Sequence, residues 1–300
     1  MGFCSTHYCR LLRGTQAAAD EVKIAFTKME GTGNDFVVID GFSRPAALTP
    51  RQVRGLADRH FGVGCDQVLV VERPQRPDAD FRYRIFNADG AEAEQCGNGA
   101  RCFARFVRDR QLTRKDEIVV DTLGGRIRPR LLPDGGVAVE MTVPRFAPAD
   151  VPFLAERRAL VYDLEVDGTT LRAGVVSMGN PHVVSIVADV DQAPVATWGP
   201  RLEHHPRFPR RVNAGFMQIL DRANVRLRVW ERGVGETLGC GSGACAAVVV
   251  GRSQGLLDEV VSVRLPGGTL SVTWAGEGKP VWLAGPARTV FEGSIELEAP

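Results

Sequence analysis

The 300-residue sequence predicts an α+β protein of two pseudo-symmetric domains, each a mixed β-barrel or set of sheets wrapped around a central helix. Three observations carry this. First, a Glu followed four residues later by Cys-Gly-x-Gly-Ala occurs twice, in FNADGAEAEQCGNGARC around Cys96 and in WERGVGETLGCGSGACA around Cys240. Setting Cys96 on Cys240 matches Glu92 with Glu236, Gly97 with Gly241, Gly99 with Gly243 and Phe86 with Trp230. Second, GNDFVVI from Gly33 is similar to GNPHVVSI from Gly179, and the same spacing sets Gln67 against Asn213. Third, each cysteine loop runs into an apolar segment: 100–108 has Cys102, Phe103, Phe106 and Val107 at helical spacing, and 244–250 is apolar all round. A helix without a polar face must be buried, and β-rich surroundings supply its cover.

The remaining elements follow from local pattern. β-branched and aromatic runs between turn residues predict strands at 24–30, 35–40, 67–72, 81–86, 117–121 and 137–142. In the second half they fall at 171–177, 182–187, 216–220, 225–230, 260–264, 269–274 and 281–283. Thr49-Pro50 is a cap and first-turn pair, so a helix is expected over 50–59, with a counterpart near 199–205. The proline-rich stretch 144–152 is the natural crossover between the copies. The expected division is an extension over 1–22, a first domain over 23–143 plus 286–300, and a second over 144–285. Residues 1–22 lack strand periodicity and contain no apolar core of a secretion signal.

Composition narrows the function classes. A formal net charge of +1 gives no argument for nucleic acid or an anionic membrane, and no apolar run approaches a spanning helix. Seven cysteines without a paired framework suit reduced thiols in a cytoplasm. No P-loop or strand-borne G-x-G-x-x-G is present, and no cysteine spacing has the company a zinc site needs, so neither metal nor nucleotide cofactor is expected. Cys65, Cys102 and Cys245 lack the loop context and are read as packing residues.

The two loops imply chemistry. Glycines opening a helix let backbone N–H groups face an anion, and the helix dipole favours negative charge there. A carboxylate between two such ends would leave its α-carbon between the sulfurs of Cys96 and Cys240. One sulfur then removes the α-proton while the other delivers a proton to the opposite face. The helix ends are expected to draw the thiol pKa down from about 8.5 toward neutrality.

At these residues the chain resembles the diaminopimelate epimerase family, from about residue 23 to 297. KMEGTGNDFVVID, FNADGAEAEQCGNGARC, GNPHVV, VNAGF and WERGVGETLGCGSGACA carry the resemblance. It implies a cofactor-independent isomerase, usually homodimeric, that interconverts L,L- and meso-diaminopimelate for lysine and cell-wall synthesis. It makes Cys96 and Cys240 the catalytic pair. Gly97, Asn98, Gly241 and Ser242 become the loop positions around the reacting carboxylate. Asn34, Gln67, Asn87, Asn180, Asn213, Glu231 and Arg232 join the substrate-binding set, and His182 with Glu231 tunes the thiols. Arg232 suits a bidentate grip on a second carboxylate. The competing readings are a proline racemase or hydroxyproline epimerase of the same superfamily, and a non-enzymatic ligand-binding protein on the same fold. A thiol-redox protein is a third, though its cysteines usually lie close in sequence.

Overall fold

The structure, a computed structural model, describes residues 21–94 and 96–298. Most of the 1–22 extension, with Cys4 and Cys9, lies outside the described residues, although strand pairing already begins at Glu21.

In chain order come β1 (Glu21–Gly31), β2 (Asn34–Asp40), α1 (Pro50–Ala57), β3 (Gln67–Glu72), β4 (Phe81–Asn87) and β5 (Glu92–Ala93). They are followed by α2 (Gly97–Asp109), β6 (Val120–Thr122), β7 (Gly125–Ile127), β8 (Arg130–Leu131) and β9 (Val137–Glu140). Next are β10 (Tyr162–Val166), β11 (Thr169–Ser177), β12 (Pro181–Ile186), α3 (Val195–Glu203), β13 (Asn213–Asp221) and β14 (Asn224–Glu231). The chain ends with β15 (Gly235–Thr237), α4 (Gly241–Ser253), β16 (Val260–Leu265), β17 (Gly268–Trp274), β18 (Val281–Gly285) and β19 (Arg288–Glu298).

The strands form two mixed sheets, one ordered β19-β1-β2-β3-β4-β6-β7 and the other β10-β11-β12-β13-β14-β16-β17-β18-β9-β8. β5 and β15 hang from β4 and β14. The pairings repeat in detail. β2 and β3 are parallel like β12 and β13, and β4 and β6 are parallel like β14 and β16. Register repeats too: Phe36 lies opposite Gln67 as His182 lies opposite Asn213. The terminal β19 runs antiparallel along β1, from Glu21 opposite Glu298 to Glu30 opposite Arg288, where β10 stands in the other sheet.

Each sheet is covered by helices on both faces. Its inner face packs on a central helix, α2 under the first sheet and α4 under the second. Its outer face packs under α1 or α3. α4 is buried from Gly243 to Gly251, as its lack of a polar face requires. The cap predicted for α1 forms a full capping box: the Thr49 hydroxyl accepts from the Gln52 amide and Gln52 Oε1 accepts from the Thr49 amide at 3.0 Å.

The structure departs from the sequence expectations at the crossover and at α3. The sheets exchange before the proline-rich stretch, because β9 pairs with β18, setting Gly285 opposite Val137. α3 starts at Val195, four residues before its expected start, because Val195, Gly199 and Leu202 form its buried face around Pro200.

Candidate active site

Cys96 and Cys240 occupy equivalent positions, each the extended residue capping the start of a central helix. The two helix starts open onto one cavity of about 1190 Å³ between the sheets. Both cysteines line it, with Asn34, Gln67, Asn87, Gly97, Asn98, Asn180, Glu231, Gly241 and Ser242. Asn213, Arg232 and His182 are not in its wall.

What holds each loop in place is a cross-strand clamp. Arg84 on β4 donates two bonds to Glu92, at 2.8 and 2.7 Å. Arg228 on β14 does the same to Glu236, at 2.6 and 2.9 Å. The Glu four residues before each cysteine therefore belongs to the scaffold: it pins the short strand that delivers the loop. The Arg84 guanidinium holds the Glu92 carboxyl below its usual range.

The polar groups around the sulfurs are tied to one another. Cys96 Sγ lies 3.8 Å from Asn34 Oδ1, which also accepts from Asn98 Nδ2 at 3.3 Å. Asn34 in turn donates to Asp66 at 2.8 Å, and Asp66 is paired with Arg59 at 2.7 Å. Gln67 donates to Asn87 at 2.9 Å across β3 and β4. Glu231 accepts from Thr237 Oγ1 at 2.6 Å. On the other side, the Gly243 amide donates to Cys240 Sγ at 3.3 Å, and Ser242 Oγ stands 3.6 Å from that sulfur. Asp66, Arg59, Thr237 and Tyr83, whose hydroxyl accepts from the Cys96 amide at 3.5 Å, were not singled out from sequence. Thr237 lies within the second quoted motif, whereas Arg59 and Asp66 sit in loops and Tyr83 in β4, outside the motifs.

Ionisation differs from the sequence expectation. Burial pushes the Cys96 thiol up, and the charge of Glu231 adds to it. The amides of Gly99 and Asn98 and the charge of Arg101 pull the other way without overcoming it. Cys240, 4% exposed, is pushed well up by burial and then by Glu231, against Ser242 and Gly243. Two helix starts supply only partial charges, which do not outweigh the burial of the sulfurs. Both sulfurs are thus pushed toward the protonated thiol in the free protein. Burial raises the packing cysteines as well, Cys65 to about 11 and Cys245 to about 12.

The other three predicted residues lie outside the wall. His182 is 1% exposed, and its Nε2 meets Asn180 Oδ1 at 3.0 Å. Asn180 Nδ2 donates to Ser242 Oγ at 3.4 Å, so His182 reaches Cys240 only through two intermediaries. Asn213 donates to Pro181 O at 2.9 Å and accepts from the Arg232 amide at 2.9 Å, fixing the turn after Glu231. The Arg232 guanidinium donates to Arg210 O at 3.0 Å, is exposed, and has no ion pair among the described residues.

Burial, then the charge of Arg232, drives the His182 pKa from 6.5 to about 3. Unfolded chains take up that proton first, so the stability His182 confers is full above pH 6.5 and is lost as pH falls toward 3. Urea unfolding should show a loss of about 1 kcal/mol between roughly pH 7 and 5.5 that His182→Gln lacks. His205 is shifted in the same direction, so the difference between the two proteins is the quantity to read. Identical slopes would mean that folding leaves the His182 pKa unshifted.

The chain is similar to known proteins along most of its length. The profile of the diaminopimelate epimerase family matches residues 26–147 and 174–290. A diaminopimelate epimerase of Thioalkalivibrio sulfidiphilus is 62% identical over 278 residues, covering 92% of this chain and 100% of its own length. One of Nitrosomonas europaea is 59% identical over 276 residues, again 92% and 100%. Among solved structures, a hydroxyproline epimerase from Agrobacterium vitis has the same fold, with a TM-score of 0.67 at 15% identity, covering 93% of this chain and 94% of its own.

Proposed function

The chain belongs to the diaminopimelate epimerase family, and from that membership we propose that it interconverts L,L- and meso-diaminopimelate by two-cysteine acid/base chemistry. Lysine and peptidoglycan precursor synthesis in the cytoplasm is the setting this reading implies. As an isomerase of this family it works without pyridoxal phosphate. The observation that carries the mechanism is the pair of helix starts, each capped by a cysteine, opening onto one cavity.

The reacting carboxylate lies between the N–H groups of the two helix starts, near Gly97, Asn98, Gly241 and Ser242. A thiolate on one side takes the α-proton: the C–H bond breaks and an S–H bond forms. The electron pair left on carbon takes a proton from the thiol opposite, so a C–H bond forms on the other face and that sulfur becomes the thiolate. Protons and charge balance, and the reverse reaction exchanges the roles of Cys96 and Cys240. Glu231, whose charge acts on both sulfurs, faces the reacting ammonium group. An ammonium beside Glu231 offsets that carboxylate's share of the push on the thiols, so one thiol gives up its proton to solvent more readily when substrate binds. Asn34, Gln67, Asn87 and Asn180 bind the rest of the ligand, and Asn213 and His182 support them.

Arg232 is the proposed grip on the distal carboxylate, since its guanidinium has no carboxylate partner among the described residues. Arg232→Lys should lower kcat/KM at least about tenfold, or 1.4 kcal/mol, by losing the planar fork. An unchanged kcat/KM would return Arg232 to a surface role. Turnover of L,L-diaminopimelate in a coupled assay, with proline and hydroxyproline as parallel substrates, tests the proposal as a whole. Turnover of the imino acids alone would favour the racemase reading.

We further propose the homodimer that the family implies. β19 is the outer edge of its sheet, with Val290 57% and Phe291 47% exposed on it, a surface suited to pairing with a second copy. Among the described residues no helix is long and apolar enough to cross a membrane.

A further inference from the structure

Arg101, in the first turns of α2, is the largest fully buried side chain among the described residues. Its Nη2 donates to Thr32 Oγ1 at 3.0 Å and its Nε to Pro286 O at 3.2 Å, while Nη1 has no hydrogen-bond partner. No carboxylate pairs with it among the described residues. A buried cation held only by neutral oxygens is a poor way to stabilise a helix. It is a good way to fix where three segments lie.

Those segments converge on the two sulfurs. α2 begins at Cys96. Thr32 is the tip of the β1–β2 hairpin, held at φ +60° and 1% exposed. Its carbonyl oxygen reaches across to the other sheet's loops so closely that a Cβ at Gly239 would lie 2.2 Å from it, and one at Gly267 2.3 Å. Gly239 directly precedes Cys240. Pro286 joins β18 to β19, where the chain returns from one sheet to the other. Bare backbone at Gly31 and Gly285 makes room for the guanidinium: a Cβ there would stand 3.3 Å from Nη2 and 3.4 Å from Nε.

We infer that Arg101 is a positioning residue that sets the spacing and alignment of the Cys96 and Cys240 loops, by tying α2 to the hairpin tip seated against the Cys240 loop. Its catalytic consequence rests on the two-cysteine reading; the alignment itself does not. Two readouts separate them: steady-state kinetics with L,L-diaminopimelate, and the rate at which diamide links Cys96 to Cys240, followed by peptide mapping. In that assay two thiols are oxidised to one disulfide and diamide takes up both protons and both electrons.

Arg101→Met should fold, keep KM within about threefold and lose kcat about a hundredfold, as expected for misplaced reacting groups. Its crosslinking should slow at least about tenfold, and Arg101→Lys should restore part of both. A folded Arg101→Met with wild-type kcat and crosslinking rate would overturn the inference. Should that variant fail to fold, Thr32→Val decides, because it deletes only one acceptor. A drop of about tenfold in kcat at constant KM supports the inference, and wild-type values overturn it. If the wild type does not epimerise diaminopimelate, the two-cysteine reading falls, and the crosslinking rates still decide whether Arg101 aligns the loops.

Discussion

Replacing either Cys96 or Cys240 by Ala is expected to lower kcat for epimerisation at least about a thousandfold, with the fold intact. On the two-cysteine proposal each sulfur serves one face of the α-carbon, and a positioned acid or base contributes on the order of a hundred- to ten-thousandfold. Removing one leaves either no base or no donor, and the pair acts as a unit, so the double variant should be hardly worse than either single one. The fold should survive because the main bonds that hold the loops come from other residues, Arg84 with Glu92 and Arg228 with Glu236. The Cys240 variant loses the Gly243 amide's bond to Sγ. Circular dichroism and kcat measured on the same preparations check this. Near-wild-type turnover in a folded single variant would remove that cysteine from the chemistry.

Gly239→Ala should reduce kcat about a hundredfold without touching a reacting group. The added methyl would lie 2.2 Å from the Thr32 carbonyl oxygen and 3.3 Å from its carbon, both backbone atoms that cannot rotate away. Either the hairpin tip or the loop carrying Cys240 must retreat, and the two sulfurs part. Gly55→Ala is the matched control: its methyl meets only Leu297, at 3.9 Å, and α1 gains a better helix former. Kinetics of both variants, beside thermal unfolding, separate misalignment from general destabilisation. A folded Gly239→Ala with wild-type kcat would show that the tight approach of Thr32 to this loop does not govern the site.

Sequence carried the repeat because duplicated loops keep the same residue types at the same spacing. That placed Cys96, Cys240 and both central helices. The strands 67–72 and 225–230 were legible through β-branched runs or alternation. β19 was legible as the return of 286–300 to the first domain but not from its pattern, since most of its residues are exposed and no alternation survives. α3 was obscured by Pro200, and its buried face appears only once β13 and β14 are beneath it. The matched glutamates were legible as a repeat but not as clamps, although Arg84 and Arg228 stand at the same spacing. Thiol ionisation could not be read at all: glycine-rich helix starts point toward a lowered pKa, and burial decides in the opposite direction. Arg101 looked like one residue of a helical pattern, and only the fold puts Thr32 and Pro286 against it.

The two-sulfur proposal is tested most directly by incubating the protein with L,L-diaminopimelate in D2O, without pyridoxal phosphate, and following the α-carbon by NMR. Deuterium should enter at one α-position of the meso product as it forms, because the incoming proton comes from a thiol that has equilibrated with solvent. Cys96→Ala and Cys240→Ala should form no meso product. Meso product that retains the original α-proton, or that forms only when pyridoxal phosphate is added, would contradict two thiols acting on opposite faces of one carbon.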